Sequence, residues 1–391
     1  MNPLSPPRTR PARPWRVPLA LLALLALAPG WRGGQAAAQL PAPAVSSPRP
    51  FHIGGYGSLV VGRASLGGAP AANELTEAAA ALLVSGSFGR ASYFGEFEPA
   101  SRNRENWSGL FEDRAPELER LYLEYAFGDA LRLRAGRFLT PVGQWNELHA
   151  QPLTWTALRP LTTYRPFSKS TTGFMAAGSV PLGSRDAGYA VYIAPFDVGG
   201  GGQETRFTSA GGGRLAVEVL PQLYLGASAL LFKSSRPAAA DSDFALTGPD
   251  DDLASALARG DDDDNGGREE DVGTRSLFGF DASWSRGRTQ LLAEGVLVSA
   301  TGEDENETGA ERGAFLQAAL PLPAVPATHL VLRAERYGAL GGIGPSYLNI
   351  YTAGLTVRPN PHLTLKLDRQ VTSRASNRAP DGWFLSLSAL F

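Results

Sequence analysis

Ionisable residues recur at a spacing of two along this 391-residue chain, separated by apolar ones. Arg120 and Glu124 flank Leu121 and Leu123, Arg132 and Arg134 flank Leu133, Arg333 and Glu335 flank Ala334, and Lys366 and Asp368 flank Leu367. Successive side chains of an extended strand point to opposite faces, so each stretch presents one charged face and one greasy face. The same parity assigns Glu96, Glu98, Arg214, Glu218, Asp281 and Glu294 to wet faces as well. Paired wall charges, such as Arg333 with Glu335, can simply keep a lumen wet and hold cross-strand neighbours together. Around a water-filled passage such a mixed wall can instead select solutes by local sign and field.

Other chemistry has little to work with. The chain has no cysteine, which removes disulfides, thiolate metal sites and thiol nucleophiles. His52, His149, His329 and His362 are dispersed, and His149 alone lies near an acid, Glu147, so no serine–histidine–acid arrangement is spelled out. The glycine runs at 199–202 and 211–213 are followed by no phosphate-binding lysine, and no basic, aromatic stripe suggests nucleic acid. No enzyme and no cofactor are expected.

The charged positions fall in sixteen segments of roughly strand length: Phe51–Arg63, Glu77–Phe88, Ala91–Glu98, Leu118–Phe127, Ala130–Leu139, Thr171–Pro181, Gly188–Ala194, Gly211–Leu220, Leu223–Lys233, Thr274–Ser285, Arg288–Ser299, Gly313–Leu320, Thr328–Tyr337, Tyr347–Arg358, His362–Val371 and Gly382–Phe391. Even-to-odd links are short, such as Gly89-Arg90 and Pro221-Gln222, whereas odd-to-even links are long, up to Ser234–Gly273. Short turns at one end and long loops at the other, in strict parity, predict an all-β fold: a single transmembrane antiparallel barrel with short periplasmic turns and long extracellular loops. Glycine and proline, 45 and 30 residues, punctuate its strands.

The N-terminus has a different character. Arginines at 8, 10, 13 and 16 precede an apolar run over 17–28, then Pro29-Gly30 and Ala36-Ala37-Ala38. This is the layout of a cleaved secretory signal over 1–38, and the run is too short for the roughly 20 residues of a spanning helix. The 39–50 stretch is a Pro/Ala-rich leader before a barrel over 51–391. Residues 1–38 carry five arginines and no acid, so removing them leaves 31 basic and 38 acidic residues and turns a net charge of −2 into −7.

Two stretches carry a family resemblance. The final strand, with Trp383, Leu385, Leu387 and terminal Phe391 on one face, resembles the insertion signal of Gram-negative outer-membrane proteins. That likeness implies recognition by the barrel assembly machinery. The stretch Leu133–Gly143, containing Gly136-Arg137-Phe138 and Pro141-Val142-Gly143, resembles that of sixteen-stranded porins of the phosphate-selective O/P group, where it leads into a long third loop. The resemblance implies a passive diffusion channel in the outer membrane, with an anion- or phosphate-selective variant, and a homotrimer as partner state. No basic ladder like that of the anion-selective members maps onto this chain. A barrel enzyme or a surface adhesin is the contrasting class.

The third long loop, 140–170, is the candidate constriction. It carries Trp145, Glu147, Arg159, Tyr164, Arg165 and Lys169, with a net charge of +2, and either folds into the lumen or packs outward on a neighbour. Arg137 falls on the lipid-facing parity, where a bulge or snorkelling would accommodate it. The fifth loop, 234–273, holds twelve acids. Within it Asp261, Asp263 and Asn265 match the start of a calcium loop, but Val272 occupies the twelfth position, where a bidentate acid belongs. Acidic loops of this kind could bridge through divalent ions to lipopolysaccharide.

Overall fold

The computed structural model describes residues 51–65, 72–102, 117–183, 185–196, 206–236, 270–301, 310–340, 346–373 and 379–391. The signal and leader over 1–50, most of the acidic loop and the calcium-loop match at Asp261, Asp263 and Asn265 lie outside the described residues.

Sixteen antiparallel strands form one closed barrel. They are β1 (His52–Ser65), β2 (Ala72–Phe88), β3 (Ala91–Arg102), β4 (Glu117–Ala126), β5 (Arg132–Leu139), β6 (Ser170–Leu182), β7 (Arg185–Phe196) and β8 (Arg206–Leu220). The second half comprises β9 (Leu223–Arg236), β10 (Glu270–Arg286), β11 (Thr289–Thr301), β12 (Ala310–Pro321), β13 (Thr328–Leu340), β14 (Ser346–Asn360), β15 (Leu363–Thr372) and β16 (Asp381–Leu390). Each strand pairs with its sequence neighbours, and β1 closes on β16 with Val60 opposite Ser386. Gly55 and Phe391 exchange both backbone hydrogen bonds at 3.0 Å, so the chain terminus completes the ladder. Closure leaves no unpaired edge, the condition for strands to face lipid. Among the described residues no helix is long and apolar enough to cross a membrane.

Every one of the sixteen segments is a strand, but several run further toward the long links than alternation indicates. β2 starts at Ala72 instead of Glu77, β8 at Arg206 instead of Gly211, and β13 continues to Leu340. The backbone ladder does not need an apolar outer face, so hairpins continue after the two-residue pattern has stopped. On the outer face Leu121, Leu123, Leu231, Phe278, Trp383, Leu385, Leu387 and Phe391 are exposed, while Phe384 and Ser386 point inward and are buried.

Gly136 re-aims β5. Its φ is +126°, a region that L residues rarely adopt, and a Cβ there would meet the Leu121 carbonyl oxygen and lie 2.8 Å from Tyr122 Cα. Arg137 beside it pairs with outward Leu121 and with Thr172, and is buried against the sheet. Phe138 turns inward onto Met175 and Tyr192. Gly136→Ala should therefore destabilise the barrel by about 1–3 kcal/mol. The measurement is the temperature at which the folded, fast-migrating band is lost on a denaturing gel; an unchanged midpoint would contradict the assignment.

Candidate functional site

The 140–169 segment leaves β5, folds inside the barrel and returns to β6. Its neck is closed by the Thr140 amide on the Lys169 carbonyl at 2.9 Å and by Asn146, whose Nδ2 donates to the carbonyls of Thr140 (2.8 Å) and Lys169 (2.9 Å). Gly143, at φ +66°, lets the backbone pass against Glu294, where any Cβ would collide with the carboxylate. The amides of Gln144 and Trp145 then donate to Glu294 Oε1 at 2.7 and 2.6 Å. Both glycines belong to the stretch whose motif the sequence displays.

The acids and bases of the inner wall hold this loop along its length. Gln144 Nε2 donates to Asp281 Oδ2 at 2.9 Å, and the Ala157 amide to Asp368 Oδ2 at 2.6 Å. The Thr162 amide and hydroxyl both donate to Glu335 Oε1 at 2.9 Å, in the 3-10 turn Leu161–Thr163. Arg333 donates to Thr156 Oγ1 (2.7 Å) and the Leu158 carbonyl (2.8 Å). Lys366 Nζ, almost wholly buried, donates to the Gln151 carbonyl (2.6 Å), Gln151 Oε1 (3.0 Å), Thr154 Oγ1 (2.7 Å) and the Thr156 carbonyl (3.2 Å). Trp155 reaches the short-turn end of the wall, donating to Gln290 at 2.8 Å under the Arg358 guanidinium, 3.9 Å from its ring. Arg333 and Glu335 thus each bind the loop.

The inner face is not wholly polar, which alternation alone did not indicate. Val142 and Phe167 of the loop pack with inward Phe207, Leu230, Phe232, Leu277, Val296 and Val298, while Leu161 and Tyr164 pack with Tyr337, Leu348 and Ile350. Trp145 meets Phe315 edge-on. The segment is therefore anchored by an apolar core as well as by hydrogen bonds. Replacing Lys366 with methionine should loosen the 151–157 stretch by about 2–4 kcal/mol, because the acceptors it leaves are buried. Faster hydrogen exchange at the Ala157 amide is the expected reading; unchanged protection would contradict the anchoring role.

On the other wall, pairs form between adjacent strands, Arg120 Nη2 to Glu96 (2.5 Å) and Arg134 to Glu124 (2.7 Å), and Arg214 of β8 reaches past β9 to Asp281 of β10 (2.7 Å). Arg120 lies over Phe94 at 4.5 Å and Arg134 over Tyr122 at 4.0 Å. In the first two pairs the cation is the accessible member: Arg120 and Arg134 side chains are 21% and 20% exposed, against 0% for Glu96 and 6% for Glu124. Lys169 follows the same rule, 22% exposed on a Glu119 that is 1% exposed, at 2.5 Å. Burial acts to lower the Lys169 pKa, but the Glu119 and Glu98 carboxylates overcome it and hold the ammonium above its ordinary value. Glu147 lies in the field of Arg214 and Arg134, yet burial outweighs them and raises its carboxyl above the usual range.

Glu119 is the residue that parity misses. Strict alternation from Arg120 puts it outside, but the β3–β4 register shifts between Glu96 and Phe97, and the irregularity leaves Glu119 buried. There it meets His149 Nε2 at 2.8 Å beside Lys169. Tyr56 adds its hydroxyl to Glu98 (3.1 Å) and Glu96 (3.3 Å). Glu96, Glu119 and His149 offer ligand atoms within 4.8 Å of one another, as a metal site would. Arg120 and Lys169 already place positive charge on the same two carboxylates, which supplies the neutralisation a divalent ion would bring.

The remaining basic residues differ from the expected basic tips. Arg159 donates to Thr163 Oγ1 (3.0 Å), the Thr163 carbonyl (2.5 Å) and Asn146 Oδ1 (2.8 Å), so it braces the loop itself. Arg165 is buried. Glu218 caps a short turn by accepting from the Gln222 amide at 2.6 Å, and Arg132 is partly exposed on the inward parity of β5.

A closed sixteen-stranded antiparallel barrel with a long third loop folded against its inner wall is the class these elements define. Solved structures share that architecture. OmpT of Vibrio cholerae, an outer-membrane protein in its trimer form, matches with a TM-score of 0.56 at 8% identity, covering 88% of this chain and 100% of that one. The anion-selective porin of Comamonas acidovorans matches with a TM-score of 0.56 at 13% identity, covering 87% and 99%. OprB of Pseudomonas putida matches with a TM-score of 0.54 at 11% identity, covering 87% and 94%. At these identities the likeness establishes the fold. No family model matches the chain, and no curated protein does.

Proposed function

We propose that this chain is a passive diffusion channel of the bacterial outer membrane, admitting small hydrophilic solutes past the 140–169 segment. The observation that carries the reading is that segment itself: it is pinned inside a closed barrel whose outer face is apolar. A barrel built only for a surface loop's sake has no need to invest its inner-wall charges in holding a segment across its lumen. The solved structures of like fold include proteins described as porins and outer-membrane channels. The signal-like N-terminus and the aromatic C-terminal strand agree with export and insertion by the barrel assembly machinery, and a homotrimer agrees with the trimer form of the Vibrio protein. In this reading the passage is lined by the accessible inward bases Arg120, Arg134 and Lys169, while Glu294, Arg333, Glu335, Lys366 and Asp368 lie beneath the segment that they hold. Proteoliposomes carrying the full chain should swell in sugars up to a sharp size limit. Swelling no faster than in protein-free vesicles would reject the channel.

One observation favours a narrower reading, an anion preference. Where inner-wall ion pairs meet open space, Arg120, Arg134 and Lys169 present the charge and their carboxylates lie beneath. The sign at the passage is set by those accessible groups, despite the acidic composition of the chain. The motif likeness to phosphate-selective porins points the same way.

A further inference from the structure

Two aromatic rings and two guanidinium groups share one patch of the inner wall on β3, β4 and β5. Register sets Phe94 opposite Tyr122, Glu96 opposite Arg120 and Glu124 opposite Arg134, all on the inward parity. The rings stack with centroids 5.7 Å apart and planes 20° from parallel. Arg120 lies over Phe94 at 4.5 Å and Arg134 over Tyr122 at 4.0 Å, so each ring carries a cation. Each arginine uses Nε and Nη2 on its own carboxylate, and among the described residues its Nη1 has no partner. Tyr122 is held in turn by Phe138, Met175 and Tyr192. In its row the next two positions across the sheet are Gly136 and Gly173, so no side chain rises beside the ring there. Phe94, Arg120, Tyr122 and Arg134 all stay half-exposed with the 140–169 segment in place.

We infer that Phe94, Arg120, Tyr122 and Arg134 form a subsite of the inner wall for a small aromatic carboxylate, a flat ring bearing one acid group. A carboxylate meets the free guanidinium donors, and a flat ring finds aromatic and guanidinium surface beside them. The rings already fix the guanidinium planes, which lowers the cost of ordering them around a solute. A small inorganic anion would use the cations alone, and a neutral sugar would leave both of them unanswered. Glu147 of the folded-in segment lies in the field of Arg134 and Arg120, where it competes with an incoming carboxylate. The inference deepens the channel reading and rests on it for the route by which a solute reaches this wall.

The test follows 4-fluorobenzoate by fluorine NMR as it binds the full chain in a neutral detergent. Saturable line broadening is expected, with benzoate displacing the probe about tenfold better than cyclohexanecarboxylate, which has the same charge and similar bulk but no flat π face. In F94L/Y122L the two competitors should become equal, because only the cations remain to hold them. R120Q/R134Q should lose saturable binding, and Glu147→Gln should tighten it. Gel mobility with and without heating establishes that each variant is folded. Equal competition by the two acids in the wild type, or a benzoate preference that survives in F94L/Y122L, would overturn the inference. Bilayer recording of the same preparation keeps the two readings apart. A folded chain that binds benzoate and passes no current would overturn the channel and leave the subsite, whereas ordinary conductance with no aromatic preference would overturn the subsite and leave the channel.

Discussion

Excising residues 144–166 and joining the stubs with a short glycine–serine link should raise single-channel conductance several-fold. The ladder does not depend on the segment, because β5 and β6 pair directly from Arg132–Ala177 to Leu139–Ser170. Removal takes away the aromatic bulk of Trp145 and Trp155 and releases Glu294, Glu335, Asp368 and Lys366 to water. It also uncovers inward Phe232, Leu277 and Val296, so some stability will be lost with the apolar contacts. Retained heat-modifiable mobility is the control for folding. A folded variant with wild-type conductance would show that the narrowest point lies elsewhere.

The second large effect concerns sign. Changing Arg120, Arg134 and Lys169 together to glutamine should convert anion preference into cation preference, recorded as a reversal potential of opposite polarity in a salt gradient. The three cations are the accessible halves of pairs with Glu96, Glu124 and Glu119. Once they are neutral, the carboxylates behind them set the field within a screening distance of about 8–10 Å. Arg165→Gln, at a buried position, should leave the reversal potential where it was. If the triple variant keeps its anion preference, the exposed heads do not govern selectivity.

Much of this architecture is legible in the sequence, for a physical reason. A closed barrel repeats one rule on every strand, so β16 and β15 declare their faces through Trp383, Leu385 and Leu387 or Leu363, Leu365 and Leu367. Parity of link length fixes the order of hairpins independently. What stays hidden is whatever departs from period two. Glu119 is turned inward by a register shift that no local composition marks, and Arg137 is buried although its register is that of outward Leu121. The inward apolar cluster around Phe232 and Leu277 reads from sequence as ordinary strand, because its partner is a loop distant along the chain. For the same reason wall charges such as Lys366 and Glu335 could be placed on a face but not matched to Gln151 or Thr162. Asn146, which ties the neck of the loop, carries no signal beyond being polar.

In the proposed function the barrel conducts through a passage narrowed by its own third loop and fronted by cations. The most direct test is the reversal potential of the purified full chain in a planar bilayer across a potassium chloride gradient. Discrete ohmic steps are expected, with a reversal potential displaced toward the chloride equilibrium value. A folded barrel that inserts without steps, or steps that reverse toward potassium, would contradict it.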